Sequence, residues 1–219
     1  MAALTLVIGN KNYSSWSLRP WLLLKQFGVA FDEVKLPLDT PEFYELLRQY
    51  SPAGRVPVLA DGALSVWDSL AICEYINERY LDGRGWPSDP LERARARAIS
   101  AEMHAGFSAL RNALPFNCRK RVATPVLDAE VKRDIARIRE IWRVAREQHA
   151  QHGAFLFGAF SIADAMYAPV AVRFTSFAIE FGDIERRYIE TLFALPVLQE
   201  WFAEAATEPI APLHERNTP

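Results

Sequence analysis

Residues 10 to 23 read NKNYSSWSLRPWLL, with the hydroxyls of Tyr13, Ser14, Ser15 and Ser17 crowded around one indole, Trp16. Before them ALTLVI, Ala3 to Ile8, is a short, largely buried strand candidate; after them apolar residues recur at helical spacing from Ser17 to Phe27. A hydroxyl where a strand gives way to a helix has two uses. It can cap the helix by accepting from an unpaired backbone N–H. It can also donate to an anion held beside those N–H groups, where the helix dipole favours negative charge. Pro20 separates the serines: with Ser17 as N-cap the proline falls in the first turn, where no N–H is needed, whereas with Ser14 as N-cap it falls inside the ladder. Ser17 is therefore expected to cap, leaving Ser14 and Ser15 in the loop. Asp68 and Ser69 make a second such start, because the N-terminus of a helix also attracts a carboxylate. Cys73 and Cys118, far apart, give no disulfide framework, CxxC pair or metal-ligand spacing. Any thiol chemistry here needs a sulfur from another molecule.

The elements that must hold these residues follow from period and punctuation. FDEVKLPL, Phe31 to Leu38, alternates as a second strand would, and PEFYELLRQYSP is a short helix closed by Ser51 and Pro52. VPVLAD and LSVW are strands around an Asp61-Gly62 turn, and Asp68 to Tyr80 is a helix. The order β, α, β, α, β, β, α asks for a mixed sheet covered by helices. LDGRGWPSDP then gathers turn residues, and no strand is expected beyond it. Asp89, Pro90 and Glu92 open a long amphipathic helix whose apolar stripe runs to Leu114. Thr124 and Pro125 open another, with Val131, Ile135, Ile138, Trp142 and Ala145 on one face and a densely charged face opposite. The stretch from Phe160 to Ile179 is apolar all round, as a central helix is, and Ser161 with Asp164 fits its cap.

Half the chain is apolar, and 25 Lys and Arg stand against 27 Asp and Glu. That balance leaves no surplus charge for a phosphate backbone or an anionic membrane surface. MAALTLVIGN lacks the basic start and long apolar core of a signal peptide, and no apolar run reaches the roughly 20 residues of a membrane span. The expectation is a cytoplasmic protein without nucleic-acid or membrane partners.

SSWSLR after the first strand, RVPVL before the third and DSLAICEYI at the next helix, with the Ser161 to Asp164 cap further on, together resemble the glutathione transferases over nearly the whole chain. The resemblance implies an α/β plus all-α fold: a thioredoxin-like domain at 1–80, a linker at 81–88 and an all-helical domain at 89–219 that forms the acceptor site. SSWS-LR is most similar to the zeta class, which carries Ser-Ser-Cys-Ser here. By that likeness Ser14 donates to the glutathione thiolate, Tyr13 being the rival, and glutathione is the co-substrate, without a metal. A free thiol with a pKa of about 8.5 is only a few per cent ionised at neutral pH, so the site must stabilise the anion. The resemblance further implies a glutathione site of Ser15, Arg55, Val56, Pro57, Asp68 and Ser69. In it Pro57 follows a cis bond, Val56 pairs its backbone with the cysteinyl part, and Asp68 and Ser69 take the γ-glutamyl ammonium and carboxylate. Arg55, Arg19, Lys11 and Asn12 are candidates for the glycyl carboxylate. A small electrophile would lie against Trp16, Met103, Phe107 and Arg111, with His104, Ser108 and Asn112 on the same stretch. A detoxifying homodimer is the implied whole. Trp16 stands where the zeta motif has a cysteine tied to that class's isomerase and dehalogenase reactions. Alternatives to transfer are a non-catalytic binding module or zeta-type isomerase or dehalogenase chemistry.

Overall fold

The computed structural model describes residues 4–38 and 40–211. Strands β1 (Thr5–Ile8), β2 (Asp32–Lys35), β3 (Val58–Asp61) and β4 (Leu64–Trp67) form one sheet in the order β2-β1-β3-β4. β1 runs parallel to β2 and antiparallel to β3, which pairs antiparallel with β4. Helices α1 (Ser15–Gln26), α2 (Pro41–Leu47) and α3 (Ser69–Tyr80) intervene in the expected order. β1 is buried on both faces, which explains its unbroken apolar run: Leu6 and Ile8 join the main core, while Val7 joins a smaller one with Leu36, Phe43, Leu47 and Val58. β2 is shorter than its sequence pattern suggests and mostly exposed, as an edge strand is. Ala3 of the expected first strand lies outside the described residues.

Among the described residues no further strand follows β4. Helices α4 (Pro90–Ala105), α5 (Ser108–Ala113), α6 (Ala129–His149), α7 (Ile162–Ser176), α8 (Asp183–Phe193) and α9 (Pro196–Thr207) follow, with a short 3-10 turn at Ala150–His152. The Asp89 cap holds as read, its carboxylate accepting from Leu91 and Glu92 N–H at 2.9 Å each. The long helix that follows is interrupted: Gly106 is extended and Phe107 takes the left-handed conformation at φ 58°, so α4 and α5 are separate. α6 starts later than Thr124 and Pro125 suggest. Asp128 caps it, and the Thr124 hydroxyl instead donates to the carbonyls of Phe177 and Ala178.

α7 is the central helix, packed on both α1 and α4. Its capping box forms: Asp164 accepts from Ser161 N–H at 2.9 Å and Ser161 Oγ at 3.0 Å, and also from Leu156 N–H and Tyr188 Oη. Because α1 carries the hydroxyl-rich turn at its start and lies against α7, the helical half supports the floor of the site.

Candidate active site

A groove of about 600 Å³ opens between the sheet domain and α4, lined by Trp16, Ala53, Arg55, Val56, Pro57, Trp67, Asp68, Ser69 and His104. Three chain turns build it. The loop before β3 is drawn together by Ser51, whose hydroxyl accepts from Arg55 N–H at 3.2 Å and donates to Arg55 C=O at 3.1 Å, and the Val56–Pro57 bond that follows is cis. Asp68, in the left-handed region at φ 72°, caps α3 by accepting from Leu70 N–H at 2.9 Å. Its other carboxylate oxygen lies 3.2 Å from His104 Nε2 on α4. Burial holds His104 below the ordinary histidine range, with Asp68 opposing burial and Arg19 and Arg111 adding to it. Ser69 opens α3, 1% exposed, and accepts from Arg19 Nη1 at 3.3 Å.

The first turn of α1 differs from its sequence reading. Ser14, not Ser17, is the N-cap, its Oγ accepting from Ser17 N–H at 3.4 Å, and Pro20 stands inside the helix. Ser17 is diverted across the strand-to-helix corner, where its Oγ accepts from Gly9 N–H at 3.2 Å and lies 2.7 Å from Ser14 Oγ. With no N–H at Pro20, the ladder forgoes its bond to the Trp16 carbonyl, a loss that sequence spacing alone counted against this register. Ser14 and Ser15 are each 6% exposed and are not on the groove lining, which their neighbour Trp16 reaches from the same turn. The Tyr13 hydroxyl turns away, accepting from Arg119 Nη2 at 2.9 Å and Ala211 N–H at 3.3 Å.

Positive charge gathers beneath Trp16. The Arg19 guanidinium lies 4.2 Å and that of Arg111 5.4 Å from the ring centre. Arg173 of α7 donates to Ser15 Oγ at 3.1 Å and to Leu114 C=O at 2.6 Å. Burial, then the neighbouring Arg111, lowers Arg19 to about 10; burial, then Arg19 and Arg111, lowers Arg173 to about 9. Both cysteines are buried and their thiols are pushed up, Cys118 to about 12, with burial as the main cause. Neither is poised as a nucleophile.

The fold has counterparts among known proteins. Residues 13–79 match the glutathione S-transferase N-terminal domain and residues 128–204 match the glutathione S-transferase C-terminal domain. The chain belongs to the glutathione S-transferase family. A probable maleylacetoacetate isomerase of Caenorhabditis elegans is 36% identical over 98 residues, 45% of this chain and 45% of that protein, so the match spans about half of each. A dichloromethane dehalogenase of Methylorubrum extorquens is 42% identical over 62 residues, 27% of this chain and 21% of that one. Glutathione S-transferase omega-1 of Rattus norvegicus is 24% identical over 92% of this chain and 77% of its own length. Among solved structures, a glutathione transferase homologue from Burkholderia gl BGR1 with bound glutathione superposes with a TM-score of 0.70 at 22% identity, covering 94% of this chain and 100% of that chain. The sheet half is the thioredoxin-like part of this glutathione S-transferase fold, and the rest is its helical part.

Within this family member the structure sorts the candidate residues. Arg55, Val56, Pro57, Asp68, Ser69 and Trp16 converge on the groove. Arg111 is not on the lining but touches two residues that are, lying 5.4 Å from the Trp16 ring centre and donating to the His104 carbonyl at 3.4 Å. Met103 and Phe107, at 1% and 8% exposure, belong to the core instead, because α4 turns His104 rather than Met103 to the groove and Phe107 lies past its end. Lys11 and Asn12 are not placed for a glycyl carboxylate. Both are fully buried, with Lys11 Nζ 2.8 Å from Glu33 and 2.7 Å from Glu204. Sequence reasoning missed Trp67 and Arg173. Trp67, 47% exposed at the end of β4, adjoins the Asp68 cap; Arg173 is the lone cation of an apolar helix, a signal the sequence did offer.

Proposed function

We propose that the chain is a glutathione transferase that binds glutathione along Val56, Asp68 and Ser69 and activates its sulfur with Ser14 for attack on a small electrophile. The observation that carries this reading is the convergence of a cis-proline loop, the acidic cap of α3 with its buried serine, and the N-terminus of α1 around one groove. An extended peptide can pair with the loop before β3 as an added strand does, and a carboxylate suits the α3 start. Arg55 then remains for the glycyl end. Ser14 Oγ and Ser17 Oγ lie 2.7 Å apart and Gly9 N–H donates to Ser17 Oγ; in the arrangement that activates sulfur the Ser17 hydroxyl gives its proton to Ser14 Oγ, and Ser14 Oγ–H donates to the thiolate. Lowering a thiol pKa by two units takes about 2.7 kcal/mol of preferential stabilisation of the anion. The hydroxyl, the α1 start and the buried arginines each act in that direction. The thiolate then forms a bond to carbon as the electrophile's leaving group departs with its electron pair. We assign glutathione binding to a domain at 1–80, joined by the segment 81–88 to an acceptor-binding domain from 89.

The partial likeness to an isomerase and a dehalogenase favours a second reading, in which the same thiolate adds to an unsaturated acid or displaces halide. Trp16 in place of the zeta cysteine weighs against the isomerase form. Calorimetric titration tests the central claim: saturable binding of glutathione is expected, weakened at least tenfold by Ser69→Ala, which removes one hydrogen bond to a charged group, worth about 1.5–3 kcal/mol. Absence of heat and of thermal shift at millimolar glutathione would reject it.

A further inference from the structure

The turn that presents Ser14 is held from the far end of the chain. Asn10 C=O accepts from both Tyr13 N–H, at 3.1 Å, and Ser14 N–H, at 2.9 Å, which leaves the N–H groups of Lys11 and Asn12 to be satisfied elsewhere in a site sealed from water. Glu208, the residue that ends α9, supplies both acceptors. Its Oε1 takes Lys11 N–H at 2.9 Å and its Oε2 takes Asn12 N–H at 3.0 Å. The carboxylate is itself fixed by Lys35, 3.2 Å away, and its backbone carbonyl accepts from Arg119 at 2.7 Å. Arg119 N–H in turn donates to the Asn12 side chain at 3.1 Å, closing a ring of contacts around the turn.

The geometry points to Glu208 as a positioning residue for the thiol-activating serine: its two-pronged grip on Lys11 and Asn12 sets where Ser14 Oγ stands. This rests on the reading of Ser14 given above. Two acceptors on one rigid plane are required, so glutamine, with a single acceptor oxygen, leaves one N–H facing an amide NH2. Aspartate keeps both acceptors but is one methylene short. Glu208 is not among the residues that line the groove, and its effect should pass through the hydroxyl alone.

The test is titration of glutathione-saturated protein by ultraviolet thiolate absorbance, with pH profiles of kcat and KM against an aryl halide. Glu208→Gln is expected to raise the thiol pKa by about one unit, a tenfold loss of kcat/KM below that pKa. KM for glutathione should stay within about twofold, and the rates of variant and wild type should converge where both thiols are ionised. Glu208→Asp should fall between them. Leu198→Ala, a buried change in the same helix, should lower the melting temperature without moving the thiol pKa. If Glu208→Gln behaves like Leu198→Ala, the residue is merely structural and the inference fails. Should Glu208→Gln not fold, an unchanged pKa in Glu208→Asp is equally fatal. A depressed wild-type thiol pKa that ignores Glu208 overturns this inference alone; a wild type with no depressed pKa overturns it together with the transferase reading.

Discussion

Tyr13 and Ser14 are adjacent hydroxyls given to different partners: the tyrosine to Arg119 and Ala211, the serine to Ser17 and the start of α1. Removing each should therefore do different things. Ser14→Ala is expected to raise the pKa of bound glutathione by about one to two units, the loss of one charge-assisted hydrogen bond. Ser17→Ala should raise it too, by less, because Ser14 then loses the partner that orients its proton. Tyr13→Phe should leave the thiol unchanged and lower stability by about 1 kcal/mol. Thiolate absorbance and urea unfolding separate these outcomes. A large pKa shift in Tyr13→Phe would move the site to the tyrosine.

At the scale of elements, α7 is the member on which the others depend, and its start is held by one carboxylate with four donors. Burial pushes Asp164 up to about 6, with its hydrogen-bond donors working in the opposite direction. A carboxyl with a raised pKa takes up its proton in the folded state first. Its contribution to stability is therefore greatest below the unfolded value near 3.9 and declines as pH rises through about 6. The stability margin of wild type over Asp164→Asn should narrow across that window by up to about 3 kcal/mol, read from urea midpoints at several pH values. A margin that widens with pH would show that the four donors outweigh burial. At high pH about 1–3 kcal/mol should remain, since an amide leaves a donor unpaired.

For the whole molecule, the tie between sheet and helices runs through charge as well as apolar packing. Lys11, 1% exposed in its side chain, pairs with Glu33 of β2 and Glu204 of α9 and lies over the Trp21 and Trp201 rings. Lys11→Met should cost about 1–3 kcal/mol, less than a fully buried pair, because the abandoned carboxylates are 25% and 43% exposed and can take up water. Denaturant unfolding would measure it. Leu91 on α4 stays 71% exposed, and we propose that a twofold mate seated against α3 and α4 covers it. Sedimentation at micromolar concentration should give twice the chain mass; a monomer would remove the dimer and leave the thiol site as described.

The sequence by itself determined the order of elements as far as Tyr80, the Asp89 and Ser161–Asp164 caps and the β3–β4 hairpin, because local signals carry these: period, turn chemistry and capping act within a few residues. That the Val56, Asp68 and Ser69 segments meet was implied only by the family resemblance. Tertiary structure decided the rest. Ser17 lost the cap to Ser14 because Gly9 N–H needed an acceptor across the corner, a demand that no helical spacing announces. α4 stopped at Ala105 where Phe107 turned left-handed, although the apolar stripe continues. Lys11 and Asn12, polar and loop-borne in sequence, were buried by residues 193 to 197 positions away. A buried donor must find an acceptor somewhere in the fold, and only the packed chain says which distant residue provides it.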